Sequence, residues 1–420
     1  MASNSVSLGE LIHQVGERNK ELLSTEPLGV SIDKEFMPSV ANTIGTDLSK
    51  YMLLRRNRFA CNPMHVGRDR ALPIARYKKD APGIVSPAYM TFEADENKVD
   101  LDYLELFFKL AVFDKECWFY TDSSVRGGLS WDALCSIKLN LPSFSEQHKI
   151  AMITKVIRDR IAQLAEQNDY LLELTKVLFA HWFKDFAPFQ DEETYATEIG
   201  DIPTSVKLVP LVELTKAITK GTTPTTLGFE YKKSGINFIK GESIGDDHSF
   251  DYGKFAHIDD EANAALKRSV IEDRDLLFTI AGTLGRFAMA EKGMIPANTN
   301  QAVGIIRADE RLLTPEVLLS YFIGGWQEDY YARRVQQAVQ ANLSLTTLKS
   351  LPVPVLEGDM RFEYEKQIVP VIHAIEANNA ENRRLSELRD ALLPKLMSGE
   401  IDASKVDLTQ LNNHLVMKVL

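Results

Sequence analysis

Two long stretches of the chain carry apolar residues at alternating spacings of three and four, the pattern of a helix that packs along one narrow stripe. The first covers about residues 145–186 and the second about residues 363–397. A helix of roughly 40 residues is ~60 Å long at a rise of 1.5 Å per residue. Two such helices in one chain most simply bury their stripes against each other, and chain connectivity favours an antiparallel pair. The sequence therefore predicts an antiparallel coiled coil.

Polar residues interrupt both apolar stripes. Arg160 and Gln167 fall on the first stripe, and Asn378 and Asn382 fall on the second. Polar side chains at such positions lower the stability of a coiled coil but select its register. We therefore expect polar contacts that set the alignment of the two helices.

The same succession of short elements precedes each long helix. Residues 129–134 lead into the strand-like residues 137–141, and residues 343–348 lead into residues 351–355. The segments further upstream differ in sequence, and their short strand-like runs bounded by glycine favour mixed α/β structure. A repeated frame that carries unlike segments predicts two separate recognition modules.

We predict a mixed α+β (α/β) fold in four regions. They are a first module at residues 1–142, a first long helix at 143–190, a second module at 191–357, and a second long helix with its tail at 358–420.

The composition is that of an ordinary globular protein, with 45% hydrophobic and 25% charged residues. No run approaches the ~20 apolar residues that a membrane span needs. Residues 1–5 lack the basic and apolar regions of an export signal, so we expect a cytoplasmic protein. Its three cysteines lack metal-type spacing and are expected to pack in the core.

The charge distribution is uneven. A net charge of −11 disfavours nucleic acid at long range. Residues 51–79, however, contain eight basic residues and a single acid, Asp69. This stretch predicts phosphate contacts, and a solvated surface without a ligand is the alternative.

Several motifs, taken in order, resemble the specificity (S) subunit of type I restriction-modification systems. The ends of both long helices carry part of the resemblance, and short motifs in each module carry the rest. Val206 is a departure, because many members of that family have tryptophan there. The matching segments are residues 59–63, 83–89, 182–188, 221–224, 282–286, 298–301 and 393–401.

This resemblance implies that each module is a target-recognition domain for one half of a bipartite site on double-stranded DNA. The paired helices would act as spacer and as docking frame for two methyltransferase (M) subunits, with restriction/translocase (R) subunits completing the complex. S-adenosylmethionine, ATP and Mg²⁺ would belong to the partners. The chain itself would have no catalytic residue, cofactor, metal or membrane contact.

On this basis we expect side chains of both modules to contact DNA. Arg and Lys suit phosphates, whereas Arg, Asn, Gln and Thr can also read base edges. The candidates of the first module are Arg55, Arg56, Arg58, Asn62, His65, Arg68 and Arg70. Those of the second are Lys220, Thr222, Thr223, Thr225, Lys240, Arg286, Asn298, Asn300 and Gln301.

Two other classes of function stay open. An enzyme acting alone on DNA is disfavoured, because residues 62–64 lack the second proline and the aromatic ring of the adenine methyltransferase signature. Residues 282–286 likewise lack the lysine and spacing of a phosphate-binding loop. A coiled-coil scaffold with two protein-binding modules would explain the acidic balance, but it explains the arginine-rich stretch less well.

Overall fold

A computed structural model of the chain describes residues 5–40, 45–121, 128–197, 200–328, 330 and 343–409. The contacts divide the chain into two compact units, residues 1–162 with 383–420 and residues 163–382. Each unit contains one module and a stretch of each long helix. The boundaries between modules and helices proposed above stay a prediction.

The first module consists of short strands in two sheets, followed by helices. One sheet has the order β2-β9-β6-β7, the other has the order β4-β3-β8-β5, and β1 pairs antiparallel with β10. The strands are β1 (Ser5–Ser7), β2 (Ile12–Gln14), β3 (Pro27–Val30), β4 (Phe36–Pro38), β5 (Met52–Leu54), β6 (Phe59–Cys61), β7 (Ile74–Arg76), β8 (Gly83–Val85), β9 (Met90–Ala94) and β10 (Lys138–Asn140). The helices are α1 (Val66–Asp69), α2 (Leu101–Phe108), α3 (Ala111–Phe119) and α4 (Trp131–Ser136).

Aromatic side chains fill the centre of this module. Phe59 on β6 stacks on Phe92 of the neighbouring β9 with ring centroids 5.2 Å apart, and Phe108 of α2 meets Phe59 edge-on at 5.5 Å. Asp100 caps the N-terminus of helix α2, because its carboxylate accepts hydrogen bonds from the amides of Asp102 and Tyr103. The cap stabilises the start of the helix, and the contact of Phe108 with Phe59 shows that the apolar face of the helix packs against the sheet.

The first long helix, α5 (Phe144–Phe183), leads into the second module. The sheets of this module have the orders β14-β20-β17-β18 and β16-β15-β19, with the antiparallel pairs β11–β12 and β13–β21. The strands are β11 (Thr194–Thr197), β12 (Gly200–Pro203), β13 (Val206–Pro210), β14 (Thr215–Lys220), β15 (Ile236–Ile239), β16 (Ala256–Ile258), β17 (Leu276–Thr279), β18 (Phe287–Met289), β19 (Ala297–Thr299), β20 (Val303–Ala308) and β21 (Pro352–Leu356). The helices are α6 (Asp260–Ala265), α7 (Pro315–Ile323) and α8 (Leu345–Lys349), and the second long helix, α9 (Gly358–Ser398), follows.

The two modules share one topology. The order β2-β9-β6-β7 of the first sheet corresponds to β14-β20-β17-β18, and β4-β3-β8 corresponds to β16-β15-β19. The parallel pair lies at the same place in both, between β3 and β8 and between β15 and β19. The pair β1–β10, which precedes the first long helix, corresponds to β13–β21 before the second. The repeat recognised next to the helices therefore extends through both modules.

The long helices run antiparallel, as predicted. In the second unit the Asn378 amide donates to Asn168 Oδ1 at 2.9 Å, and Trp182 Nε1 donates to Gln367 Oε1 at 3.3 Å. Residue numbers therefore rise along α5 while they fall along α9. Asn378 lies in a polar layer between the helices, and its partner is Asn168, one residue beyond the predicted Gln167.

Large aromatic rings join the second module to this helix pair. Phe183 of α5 packs against Tyr321 of α7 at 5.1 Å and against Tyr364 of α9 at 5.0 Å, measured between ring centroids. All three side chains are buried. None of the described helices is long and apolar enough to cross a membrane.

Candidate nucleic-acid interface

Most candidate residues of the second module lie where strands of both sheets end or begin. Strands β14, β15, β17 and β19 end at this edge, and β18 and β20 begin there. Within the sheet β16-β15-β19, Thr299 Oγ1 of β19 donates to the carbonyl of Ile239 of β15 at 2.7 Å, which joins the ends of these two strands at the edge. We call residues 220–228, 240–248, 280–286 and 300–302 the loop edge of the second module.

Close backbone packing fixes two of these loops against each other. A Cβ added to Gly221 would lie 1.9 Å from the carbonyl oxygen of Thr299 and 2.6 Å from that of Asn300, so only glycine fits. Beside this contact, the Thr223 hydroxyl donates to Oε1 of Gln301. The exposed Gln301 amide is therefore held in place by a neighbouring loop.

The cations of this loop edge differ in their partners. Arg286 donates to both carboxylate oxygens of Asp246 at 2.6 and 2.7 Å. The Lys240 ammonium lies 4.7 Å from the centroid of the Tyr231 ring and 3.9 Å from the Glu242 carboxylate. Lys220 has no carboxylate partner in the described part of the chain. The edge therefore combines one unpaired cation with two whose charge is partly neutralised.

The remaining candidates of this module differ in exposure. Asn298 is fully buried, where its Oδ1 accepts from Ser269 Oγ at 2.7 Å and its Nδ2 donates to Asn263 Oδ1 at 2.8 Å. These bonds satisfy the amide inside the module, which argues against a base contact by Asn298. Asn300 and Thr222 are half-buried and Thr225 is exposed, all three on the loop edge.

The candidates of the first module divide between two opposite edges. Asn62, His65, Arg68 and Arg70 follow β6, in the position that residues 280–286 have after β17. They belong to the loop edge of the first module, which we define as residues 15–26, 31–35, 62–73 and 86–89.

Short-range contacts order these four side chains. Asn62 accepts from the amide of Met64 at 3.2 Å and so caps the turn that precedes α1. Arg68 pairs with Asp69 at 2.6 Å, and its Nη2 lies 3.0 Å from His65 Nδ1. Arg70 has a left-handed backbone, with φ of 54°, and holds its guanidinium 5.0 Å from the centroid of the Trp118 ring.

Arg55, Arg56 and Arg58 lie at the other edge, in the turn from β5 to β6. The Arg58 side chain is only 5% exposed and donates to Glu93 at 2.7 Å, to Glu17 at 2.9 Å and to the carbonyl of Leu53 at 2.7 Å. Four of its five N–H groups donate inside the module. This burial argues against the predicted DNA contact of Arg58.

The two exposed arginines of this turn also have acidic partners. Arg55 pairs with Glu17 at 2.6 Å and holds the pKa of that carboxyl at about 2. Arg56 pairs with Asp80 at 2.6 Å. Glu17 belongs to the loop edge, so Arg55 borders that edge, whereas Arg56 pairs with a residue outside it. The acidic partners neutralise part of both charges, which weakens the prediction of a DNA contact.

The second module contains the reverse ion pair at the corresponding position. Arg58 precedes β6 opposite Glu93 of β9, and Asp275 precedes β17 opposite Arg307 of β20. Arg307 donates to Asp275 at 2.7 Å, and burial raises the pKa of Asp275 although this bond opposes the rise. Both modules therefore have an ion pair at the same position of the sheet, with the acidic and the basic residue exchanged between the two strands.

Sequence reasoning missed the acidic and aromatic partners of the candidates. Asp246 and Tyr231 each lie in a different loop from the cation that they contact, and Trp118 lies on α3. Of these partners, only Trp118 could have been noticed in the sequence, because it belongs to three consecutive aromatic residues, 118–120, at the end of a helix.

The outer surface of α5 carries an exposed apolar stripe. Tyr170, Leu174 and Val177 are 67%, 43% and 63% exposed and lie at spacings of four and three, which places them on one face of the helix. Their alignment gives the second unit a surface suited to packing against another helix.

The cysteines have packing roles. Cys61 and Cys117 are buried, and burial raises the pKa of the Cys61 thiol to about 12. Within the described ranges, no three His, Cys, Asp or Glu side chains gather as they would around a metal ion.

Comparison with known proteins confirms the resemblance drawn from the motifs. The chain is 22% identical to the type I restriction enzyme HindI specificity subunit of Haemophilus influenzae, over 76% of this chain and 81% of the relative. It is also 22% identical to the MjaIX specificity subunit of Methanocaldococcus jannaschii, over 71% of this chain and 69% of the relative. No protein-family model matches the chain.

A solved structure supports the fold. The S subunit of a type I restriction-modification system from M. genitalium matches with a TM-score of 0.54 at 15% sequence identity, and the match covers 94% of this chain and 96% of that one. The mixed α+β fold with paired long helices is thereby confirmed.

Proposed function

We propose that this chain, whose curated relatives are specificity subunits of type I restriction enzymes, is the DNA specificity subunit of such a complex. Each module reads one half of a bipartite site on double-stranded DNA. The observation that carries this proposal is the shared topology, which gives both modules a loop edge at the same ends of the same strands. The chain recognises DNA and does not itself catalyse a reaction.

In the second module, phosphate contacts come from Lys220, Lys240 and Arg286. The amide of Gln301, held by Thr223, faces base edges in the major groove, where a glutamine can pair with adenine. Thr222, Thr225 and Asn300 complete this surface. The tight packing of Gly221 supports the proposal, because a rigid loop loses little conformational entropy when it binds.

In the first module, Arg68 and Arg70 contact phosphates, while Asn62 and His65 lie close enough to approach bases. When DNA binds, Arg68 either leaves Asp69 or brings this carboxylate close to a phosphate. The attraction between Arg68 and the phosphate is therefore partly offset, by the lost ion pair or by repulsion from Asp69. Arg55 and Arg56 are not assigned to this surface.

The paired long helices are proposed to set the unread gap between the half-sites and to dock two methyltransferase subunits. The exposed stripe of Tyr170, Leu174 and Val177 supports docking of a partner helix. Restriction/translocase subunits join the same complex. S-adenosylmethionine, ATP and Mg²⁺ bind to the partner subunits, and the assembly works in the cytoplasm.

The proposal is tested by expressing the chain with its neighbouring methyltransferase in a bacterium that lacks DNA methylation. We expect N6-methyladenine in a split motif with an unread gap, and we expect the motif to disappear when this chain is omitted. A stable complex that produces no new motif would refute the specificity role.

The alternative is a scaffold whose modules bind proteins. The pairing of Arg55, Arg56, Arg58, Arg68 and Arg286 with carboxylates favours it, since paired cations attract phosphate less strongly. Salt distinguishes the two readings. Binding through about six phosphate contacts falls by about 10³-fold between low and physiological salt, whereas an apolar protein contact changes little.

A further inference from the structure

Three consecutive aromatic side chains at the end of α3 face solvent. Trp118 is 45% exposed, Phe119 77% and Tyr120 41%, and the rings of Phe119 and Tyr120 meet edge-on with centroids 5.3 Å apart. Exposed aromatic rings lose the stabilisation that burial would give them. A cluster of them marks a surface that a ligand covers.

This aromatic cluster borders the loop edge of the first module. Helix α3 is held there through Asp114, which accepts from the amide of Leu72 at 3.0 Å and from the ammonium of Lys34 at 2.7 Å. Both donors belong to the loop edge. The Arg70 guanidinium, 5.0 Å from the Trp118 ring centroid, then joins the cluster to the cations of that edge.

We propose that Trp118, Phe119 and Tyr120 contact the DNA duplex itself and that Phe119 stacks against bases at an opened base step. The inference rests on the proposed function and adds a mode of readout to it. Aromatic and apolar side chains that insert at a base step unstack it partly and bend the duplex. The sequence dependence of that deformation then contributes to recognition.

The local charge favours DNA over a protein as the occupant. Arg70 has no carboxylate partner in the described part of the chain, and its guanidinium lies over Trp118 at 5.0 Å, free to reach a phosphate beside a stacked base. Stacking on aromatic rings flanked by arginine is the usual means by which proteins hold unstacked bases. A protein partner for this cluster would have to neutralise Arg70 with an acid of its own.

The two modules differ in this feature. On the described loop edge of the second module, Leu227 is a large apolar side chain that is 52% exposed. No tryptophan or phenylalanine on that described edge is similarly exposed. The insertion is therefore proposed for the first half-site.

The first test compares DNA affinity of the full chain in complex with its methyltransferase, on a duplex that carries the motif found by methylation mapping. Phe119→Ala and Trp118→Ala are expected to weaken binding about tenfold, because a base stacked on an aromatic ring contributes ~1–3 kcal/mol. Phe362→Ala is the matched control, since Phe362 on α9 is 64% exposed and is not among the residues that define either loop edge. Its affinity is expected to stay within about twofold of the parent.

The second test places 2-aminopurine at each position of the first half-site except the methylated adenine. Its fluorescence rises when the base is unstacked, so we expect one bright position with the parent chain. That signal should be lost with Phe119→Ala, while a probe at the methylated adenine, which the methyltransferase flips, keeps its response.

The outcomes separate this proposal from the proposed function. Parent-like affinity and fluorescence in Phe119→Ala and Trp118→Ala would overturn the insertion and leave the specificity role intact. Loss of co-purification with the methyltransferase at unchanged DNA affinity of the chain would assign the cluster to a protein partner instead. Failure of the parent complex to prefer its motif would refute both.

Discussion

The buried ion pair behind the loop edge is the clearest difference between two modules that share one topology. In the first module Arg58, in the turn before β6, donates to Glu93 on β9. In the second, an aspartate before β17 meets an arginine on β20, through Asp275 and Arg307. An ion pair therefore occupies this position in both sheets, and the basic residue can be on either of the two strands.

This difference teaches which part of the repeat carries the function. A cation cluster read from the sequence of the first module belongs partly to its interior, and the second module has acids at the same place. The loop edges, in contrast, present cations in both modules, exposed at Arg68 and Arg70 of the first and half-buried at Lys220, Lys240 and Arg286 of the second. We therefore propose that the loop edges recognise DNA and that the ion pairs stabilise the modules.

The largest effect is expected from Arg58→Ala, which leaves Glu17 and Glu93 without their shared partner. We expect a loss of about 3 kcal/mol in the stability of the first unit. Hydrogen exchange of the β6 and β9 amides would measure it. The double substitution Arg58→Asp with Glu93→Arg copies the second module and should recover at least half of the loss. Arg56→Ala, which removes an exposed pair, is the control, and equal losses in both single variants would contradict the comparison.

The next effect is expected from Gly221→Ala, because its Cβ would collide with the Thr299 carbonyl at 1.9 Å. Displacing that loop should cost about 2 kcal/mol and abolish discrimination in the second half-site only. Methylation of substrates with single changes in either half-site would show it. Gly16→Ala tests the corresponding loop of the first module, where nothing lies within 4 Å and no effect is expected.

A smaller effect is expected from single cations of the loop edges. Arg68→Ala and Arg286→Ala should each weaken DNA binding about three- to tenfold and reduce its salt dependence, as loss of one phosphate contact does. Binding isotherms at several salt concentrations measure both quantities. Arg56→Ala should stay within about twofold of the parent, and a larger loss there would place DNA on the opposite edge.

The smallest effect concerns pH. The hydrogen bond from Arg55 lowers the pKa of Glu17 from 4.5 to about 2, so its contribution to stability is present above pH 4.5 and is lost as pH falls towards 2. Burial raises the pKa of Asp275, so the second unit gains relative stability from that group as pH falls. Solvent screening keeps the Glu17 contribution under about 1 kcal/mol. Denaturant unfolding of the parent and of Glu17→Gln should show that the variant loses less stability than the parent between pH 4.5 and 2.

The long helices were predictable because their pattern is local. Apolar spacing along residues 145–186 and 363–397 depends on the helix period alone, and burial of two such stripes predicts that the helices pair. Chain connectivity predicted the antiparallel direction, which is confirmed. The asparagine layer shows the limit of that reasoning. Asn378 was correctly placed between the helices, but its partner depends on the register, which places Asn168 there.

The candidate site was less predictable because its residues take their roles from distant partners. Nothing near Asn298 in the sequence reveals that Ser269 and Asn263 satisfy its amide inside the module. The burial of Arg58 likewise depends on Glu17 and Glu93, which belong to other strands and loops. Residue type predicted which side chains can contact DNA, and the tertiary fold decides which of them are free to do so.

The reversed ion pair also bears on how the chain folds. Two sheets with the same strand order in one polypeptide can exchange strands while they form, a characteristic failure of repeat proteins. If β9 paired with β17, Glu93 would face Asp275; if β20 paired with β6, Arg307 would face Arg58. Either mistake would place two like charges opposite each other in the sheet, which costs stability. The opposite polarity of the two modules is therefore expected to disfavour an exchange of strands between the two sheets.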